Sequence, residues 1–97
     1  MTWGEYIEKC VEQLAESRSV GEFKAVLQQI ERDLTGFGSD AEKRELFWRE
    51  VEAKYAKAPK LLLEDTTAAE KLFALYMHAS DMLAAAMQRS IAAAPKK

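Results

Sequence analysis

Four segments of the chain begin with the same signature, a Ser or Thr followed three residues later by Glu. In this capping box the hydroxyl accepts a hydrogen bond from a free backbone N–H of the first helical turn, and the Glu carboxylate bonds back to the N–H of the cap residue. An apolar run with helical spacing follows each signature. The sequence therefore predicts four α-helices, starting at Thr2 with Glu5, Ser19 with Glu22, Ser39 with Glu42, and Thr67 with Glu70.

Glycine and proline set the predicted ends of these helices. Gly36 and Gly38 end the second helix, and Pro59 and Pro95 stop the third and fourth. The helices are expected over about 3–17, 20–35, 40–58 and 67–94, with a connector at 59–66 that we interpret as one short helical turn. The 97 residues suffice for one domain, 1–97. We predict an all-α fold, a four-helix bundle-like domain with three shorter helices packed on a long C-terminal helix.

The last helix carries two apolar seams side by side, each with residues alternately four and three apart. A face of this width is more than one neighbouring helix can cover. At 1.5 Å per residue this helix is roughly 40 Å long, and the first two helices are each about 23 Å, so part of it should remain uncovered. We define the inner seam as Leu72, Tyr76, Ala79, Leu83, Ala86 and Ser90, and the outer seam as Phe73, Met77, Ser80, Ala84, Met87 and Ile91.

Composition excludes several classes of protein. Nearly half the residues are hydrophobic and about a third are charged, which is a globular balance. The formal net charge of -2 favours no polyanionic partner. The N-terminus lacks a signal peptide pattern, and the last helix carries ionisable residues in its interior, which argues against a transmembrane segment. One cysteine, Cys10, permits no intramolecular disulfide, so we expect a cytoplasmic protein.

Few residues of this chain are candidates for catalysis or metal binding. His78 is the only histidine, and Asp81 lies one turn further on, so a structural His–Asp hydrogen bond is expected rather than a metal site. Cys10 falls on the apolar stripe of the first helix and should be a buried structural thiol. No acid–base or nucleophile set is recognisable. The sequence thus predicts no enzyme, no metal site and no cofactor.

The cations nearest to a nucleic-acid surface lie on helix three and just after it, at Lys43, Arg44, Arg49, Lys54, Lys57 and Lys60. Glutamates are interleaved with them and nearly cancel the field that phosphate binding requires, so nucleic acid is an unlikely partner. A nucleic-acid-associated accessory subunit that uses these cations remains the last alternative. Trp48 and Tyr55 lie among them, and Trp48 is predicted to be an exposed anchor for a protein partner.

The leading functional prediction is a small protein–protein interaction or assembly protein. We expect the uncovered part of the last helix to be its Ala-rich second half, Ala84 to Ala94, and to mediate a dimer or the docking of a partner. The alternative is a membrane-surface or lipid-binding protein that presents Phe73, Met77, Met87 and Ile91. The predicted interface residues are Ala84, Met87, Ile91, Ala94, Trp48 and Tyr55.

Overall fold

The computed structural model describes residues 2–58 and 66–95, and for residues 66–68 the backbone only. This part of the chain contains four helices and no strand, which confirms the all-α prediction. The helices are α1 Trp3–Glu16, α2 Val20–Gly36, α3 Ala41–Lys57 and α4 Thr66–Ala92. Their ends lie within two residues of the predicted ends. The predicted helical turn in the connector falls at 59–65, outside the described residues.

The first two predicted caps are present, and the third is displaced by one residue. The Glu5 backbone N–H donates to Thr2 Oγ1, and the Glu22 N–H donates to Ser19 Oγ, each at 3.2 Å. At α3 the prediction of Ser39 is wrong, because the Asp40 carboxylate accepts from the backbone N–H of Lys43 at 2.9 Å. The fourth helix begins at Thr66, one residue before the predicted cap Thr67.

The four helices run alternately up and down. Tyr6 Oη donates to Asp33 Oδ2 at 2.8 Å, so the start of α1 lies beside the end of α2. Arg44, near the start of α3, bonds to Ser90 near the end of α4. α1 packs mainly on α2 and α3, and α4 also packs mainly on α2 and α3. α2 and α3 form the extensive contacts of α4.

One hydrophobic core joins all four helices. The inner seam of α4 contributes to it along its whole length, with Leu72, Ala79, Leu83, Ala86 and Ser90 buried. Leu75, which lies beside that seam, is also fully buried. The other helices contribute the large apolar residues that periodicity predicts, including Leu14, Phe23, Ile30, Leu34, Phe47 and Val51.

Candidate functional site

The outer seam of α4 carries large exposed apolar side chains, and its two halves differ in their exposure. At the N-terminal end Phe73 and Met77 are 66% and 63% exposed. Towards the C-terminal end Ala84, Met87 and Ile91 are half-buried. The prediction that the second half of α4 lacks a partner within the chain is therefore wrong. Part of the long helix is indeed uncovered, but it is the first half of the outer seam.

The register between α3 and α4 explains this reversal. The two helices are antiparallel and Arg44 lies level with Ser90. Because both rise 1.5 Å per residue, Lys57 at the end of α3 lies about level with Met77. The turns of α4 before Met77 thus lie beyond the end of α3, where Phe73 on the outer seam is exposed and Leu72 and Leu75 remain buried. Phe23, in the first turn of α2, contacts Tyr55 with ring centroids 5.6 Å apart, so α2 begins at about the same level.

A buried arginine fixes that register. Arg44 is 1% exposed and its guanidinium bonds to three other segments of the chain. Its Nε donates to the Ser39 carbonyl at 2.9 Å, and Nη1 donates to Glu31 Oε1 at 2.6 Å and to the Ser90 carbonyl at 3.0 Å. A buried charge is tolerated when it is paired and its donors are satisfied. Arg44 therefore ties the second half of α4 to α2 and to the start of α3.

The predicted interface residues divide into two groups. Ala84, Met87 and Ile91 lie together on the outer seam and stay partly accessible. Trp48 is fully buried, and Tyr55 and Ala94 are also buried. The expectation of an exposed Trp48 anchor is wrong because Trp48 lies one turn after Arg44 on the buried face of α3. Trp48, Tyr55 and Ala94 are thus buried within the protomer and are not exposed anchors for a protein partner.

The cations of α3 do not form a common surface. Arg44 is buried, and Arg49 Nη2 lies 2.8 Å from Glu45 Oε1. Lys54 Nζ lies 3.7 Å from Glu8 Oε1 and 3.8 Å from Glu50 Oε1. Lys60 falls outside the described residues. This arrangement disperses the positive charge that nucleic-acid binding would concentrate.

Burial favours the neutral forms of Cys10 and Tyr6. It raises the pKa of the Cys10 thiol, although the neighbouring Tyr6 hydroxyl partly opposes that shift. Burial and the hydrogen bond to Asp33 raise the pKa of the Tyr6 phenol. A protonated thiol is a weak nucleophile, so Cys10 suits the structural role predicted for it. His78 and Asp81 are both exposed, and the structure shows no hydrogen bond between them.

A cluster of aromatic rings at the start of α1 was not foreseen. Trp3, Tyr6 and Phe37 surround the mouth of an open groove of about 640 Å³, which Thr2, Ser39 and Lys43 complete. Tyr6 also stacks on Phe47, with centroids 5.8 Å apart. Periodicity placed Trp3 and Tyr6 on one face, but Phe37 belongs to the turn after α2. Its approach depends on Gly38, which adopts the left-handed conformation at φ 68°.

Comparison with protein-family models, with curated proteins and with solved structures gives no match to this chain. None of the helices in the described ranges has both the length and the apolar character that a membrane span needs. Within residues 2–58 and 66–95, no three histidine, cysteine or acidic side chains form a group able to hold a metal ion.

Proposed function

We propose that this protein acts by binding rather than by catalysis, and that it self-associates through the outer seam of α4. The observation that carries the proposal is the exposure of Phe73 and Met77, which lie one turn apart in the first half of α4. Contiguous exposed apolar side chains of this size commonly mark an interface. The unreactive state of Cys10 and Tyr6 favours a binding role over a chemical one.

The partner we infer is a second copy of the chain, because the outer seam is complementary to itself. Its residues are spaced four, three, four, three and four apart, so the pattern is the same in both directions. Two seams that meet antiparallel about a two-fold axis pair Phe73 with Ile91, Met77 with Met87, and Ser80 with Ala84. Large side chains then meet at the ends, and small ones at the centre permit close approach of the helices.

Sedimentation equilibrium at micromolar concentrations tests this proposal. We expect a dimer for the natural protein and a monomer for the double variant Phe73→Gln and Met77→Gln, because the variant removes the apolar ends of the paired seams. Leu46→Gln is the matched control, since Leu46 is 62% exposed on α3 and lies off the seam. A monomeric natural protein, or equal weakening by Leu46→Gln, would contradict the proposal.

The lipid-binding alternative uses the same Phe73 and Met77 and needs its own control. Glu70, Lys71 and Asp81 are exposed along the same half of α4, and this mixed charge gives an anionic membrane little to attract. Flotation with phosphatidylglycerol vesicles separates the two functions. We expect the protein to stay in the unbound fraction, whereas stable flotation that the double variant abolishes would favour the lipid alternative. A cytoplasmic location remains a prediction, based on the single cysteine.

A further inference from the structure

A second groove, independent of the outer seam, lies between α2 and α4. It has a volume of about 390 Å³, within the range of small-ligand pockets. It runs past two turns of each helix, from Lys24 to Glu31 and from Met82 to Arg89, a length of about 10 Å. Apolar side chains form much of its wall, and the lining residues are Lys24, Leu27, Gln28, Glu31, Trp48, Met82, Ala85, Ala86 and Arg89.

A buried hydrogen-bond donor with no acceptor belongs to a residue that lines this groove. That residue is Trp48, the one lining residue from α3. The side chain is fully buried, and its Nε1–H has no hydrogen-bond acceptor within residues 2–58 and 66–95. A buried donor of this kind is costly and calls for an explanation. A ligand atom that accepts from Nε1 would remove the cost.

The charges around the groove favour an anion. Lys24 on α2 and Arg89 on α4 are exposed and have long side chains that can fold over a bound molecule. The one carboxylate in the lining, Glu31, is already paired with Arg44, whose Nη1 lies 2.6 Å from Glu31 Oε1. Because the Glu31–Arg44 pair has no net charge, the groove has a net positive charge from Lys24 and Arg89.

We propose that the groove binds a small alkyl carboxylate. Its hydrocarbon chain lies along Leu27, Met82 and Ala85 between the two helices, and its carboxylate accepts a hydrogen bond from Trp48 Nε1–H. Lys24 and Arg89 supply the charge that selects a carboxylate over a neutral head group. The alkyl chain suits the apolar part of the lining, and the buried donor of Trp48 suits the polar head.

Octanoate is the probe, and the two indole N–H resonances of the full chain are the readout. In a titration followed by two-dimensional nitrogen–proton NMR, we expect the Trp48 resonance to move downfield saturably, as a new hydrogen bond requires, and the Trp3 resonance to stay in place. Octanol, which keeps the chain but lacks the charge, should bind at least tenfold more weakly. An unmoved Trp48 resonance, or equal binding of octanol, would overturn the proposal.

Variants separate the charge from the donor. The double variant Lys24→Gln and Arg89→Gln should weaken octanoate binding about tenfold or more, whereas Lys71→Gln, on an exposed part of α4 outside the groove, should leave it unchanged. All three positions are exposed, so the fold should persist. Trp48→Phe keeps an aromatic side chain but removes the N–H, and it should weaken octanoate several-fold and octanol less, because a bond to a charged acceptor is the stronger one. Equal octanoate affinity in all these variants would contradict the assigned site.

Discussion

The two halves of α4 carry the same pattern of apolar residues, but their outer-seam side chains differ in exposure. On the outer seam, Phe73 and Met77 are exposed, whereas Ala84, Met87 and Ile91 are half-buried. The inner seam is buried in both halves. The difference therefore does not come from the apolar spacing of α4 itself. The second half of α4 is the half that the buried Arg44 ties to its neighbours, by bonding to Glu31, Ser39 and Ser90.

The largest expected effect follows from removal of that arginine. Arg44→Ala leaves the Ser39 and Ser90 carbonyls without their buried donor and empties the space of the side chain. We expect the free energy of unfolding to fall by about 4 kcal/mol in urea titrations, the range known for breaking buried ion pairs. Hydrogen exchange should accelerate more in the second half of α4 than in the first, because Arg44 holds the second half.

Two controls define the meaning of that result. Arg49→Ala removes an exposed pair with Glu45 on the same helix and should cost at most about 0.5 kcal/mol. Glu31→Gln keeps an acceptor for Arg44 but leaves the buried guanidinium without its counter-charge, and should cost about 3 kcal/mol. A loss in Arg44→Ala as small as that in Arg49→Ala would mean that the buried network does not fix the position of α4.

The next effect contrasts two residues of the first half of α4 that lie on opposite faces. Leu75 is fully buried, so Leu75→Ala should lower the free energy of unfolding by about 3 kcal/mol through the cavity it leaves. Phe73→Ala should change it by no more than about 0.5 kcal/mol when the protein is dilute enough to be monomeric. Thermal or urea unfolding measures both variants. A large loss in dilute Phe73→Ala would show that Phe73 packs within the protomer.

Alkaline pH should lower the free energy of unfolding through the ionisation of Tyr55 on α3. Burial, with a smaller contribution from Tyr76, raises the pKa of Tyr55 from 10.0 to about 12. The unfolded chain therefore loses this proton at a lower pH than the folded chain, and the stabilisation present below pH 10 is lost as pH rises towards 12. We expect a loss of roughly 2 kcal/mol from this group alone. Urea titrations from pH 9 to 12 should show a shallower decline for Tyr55→Phe, and identical slopes would contradict the assignment.

Much of this fold follows from the sequence because its signals are local. Side chains that are a turn or less apart determine three features that were predicted. These are two of the helix caps, the helix ends to within two residues, and the inner seam of α4. The pattern also contained a sign that Arg44 and Trp48 are buried. They lie seven and three residues before Val51, and therefore on the same face of α3. Even so, the burial of Arg44 is not apparent from the sequence alone, because arginine is seldom buried without a partner and its partners lie on other segments.

The site was harder to predict because it depends on register between helices. The predicted helix lengths showed correctly that α4 is longer than its neighbours. Length alone does not determine which part of α4 the neighbours leave uncovered. That choice depends on bonds between residues such as Arg44 and Ser90, which are 46 positions apart. The groove between α2 and α4 was missed for the same reason, since Trp48 reaches it from a third helix.

The most direct test compares Met77 and Met87, two methionines on the same seam of the same helix. Methionine oxidises to the sulfoxide at a rate that depends on exposure, and mass spectrometry resolves each site. In dilute protein treated with hydrogen peroxide, we predict that Met77 oxidises clearly faster than Met87. As the protein concentration rises into the range where the dimer forms, the oxidation of Met77 should slow until its rate is similar to that of Met87. Faster oxidation of Met87 in dilute protein would contradict the assignment of the uncovered half, and a concentration-independent rate at Met77 would contradict self-association through this seam.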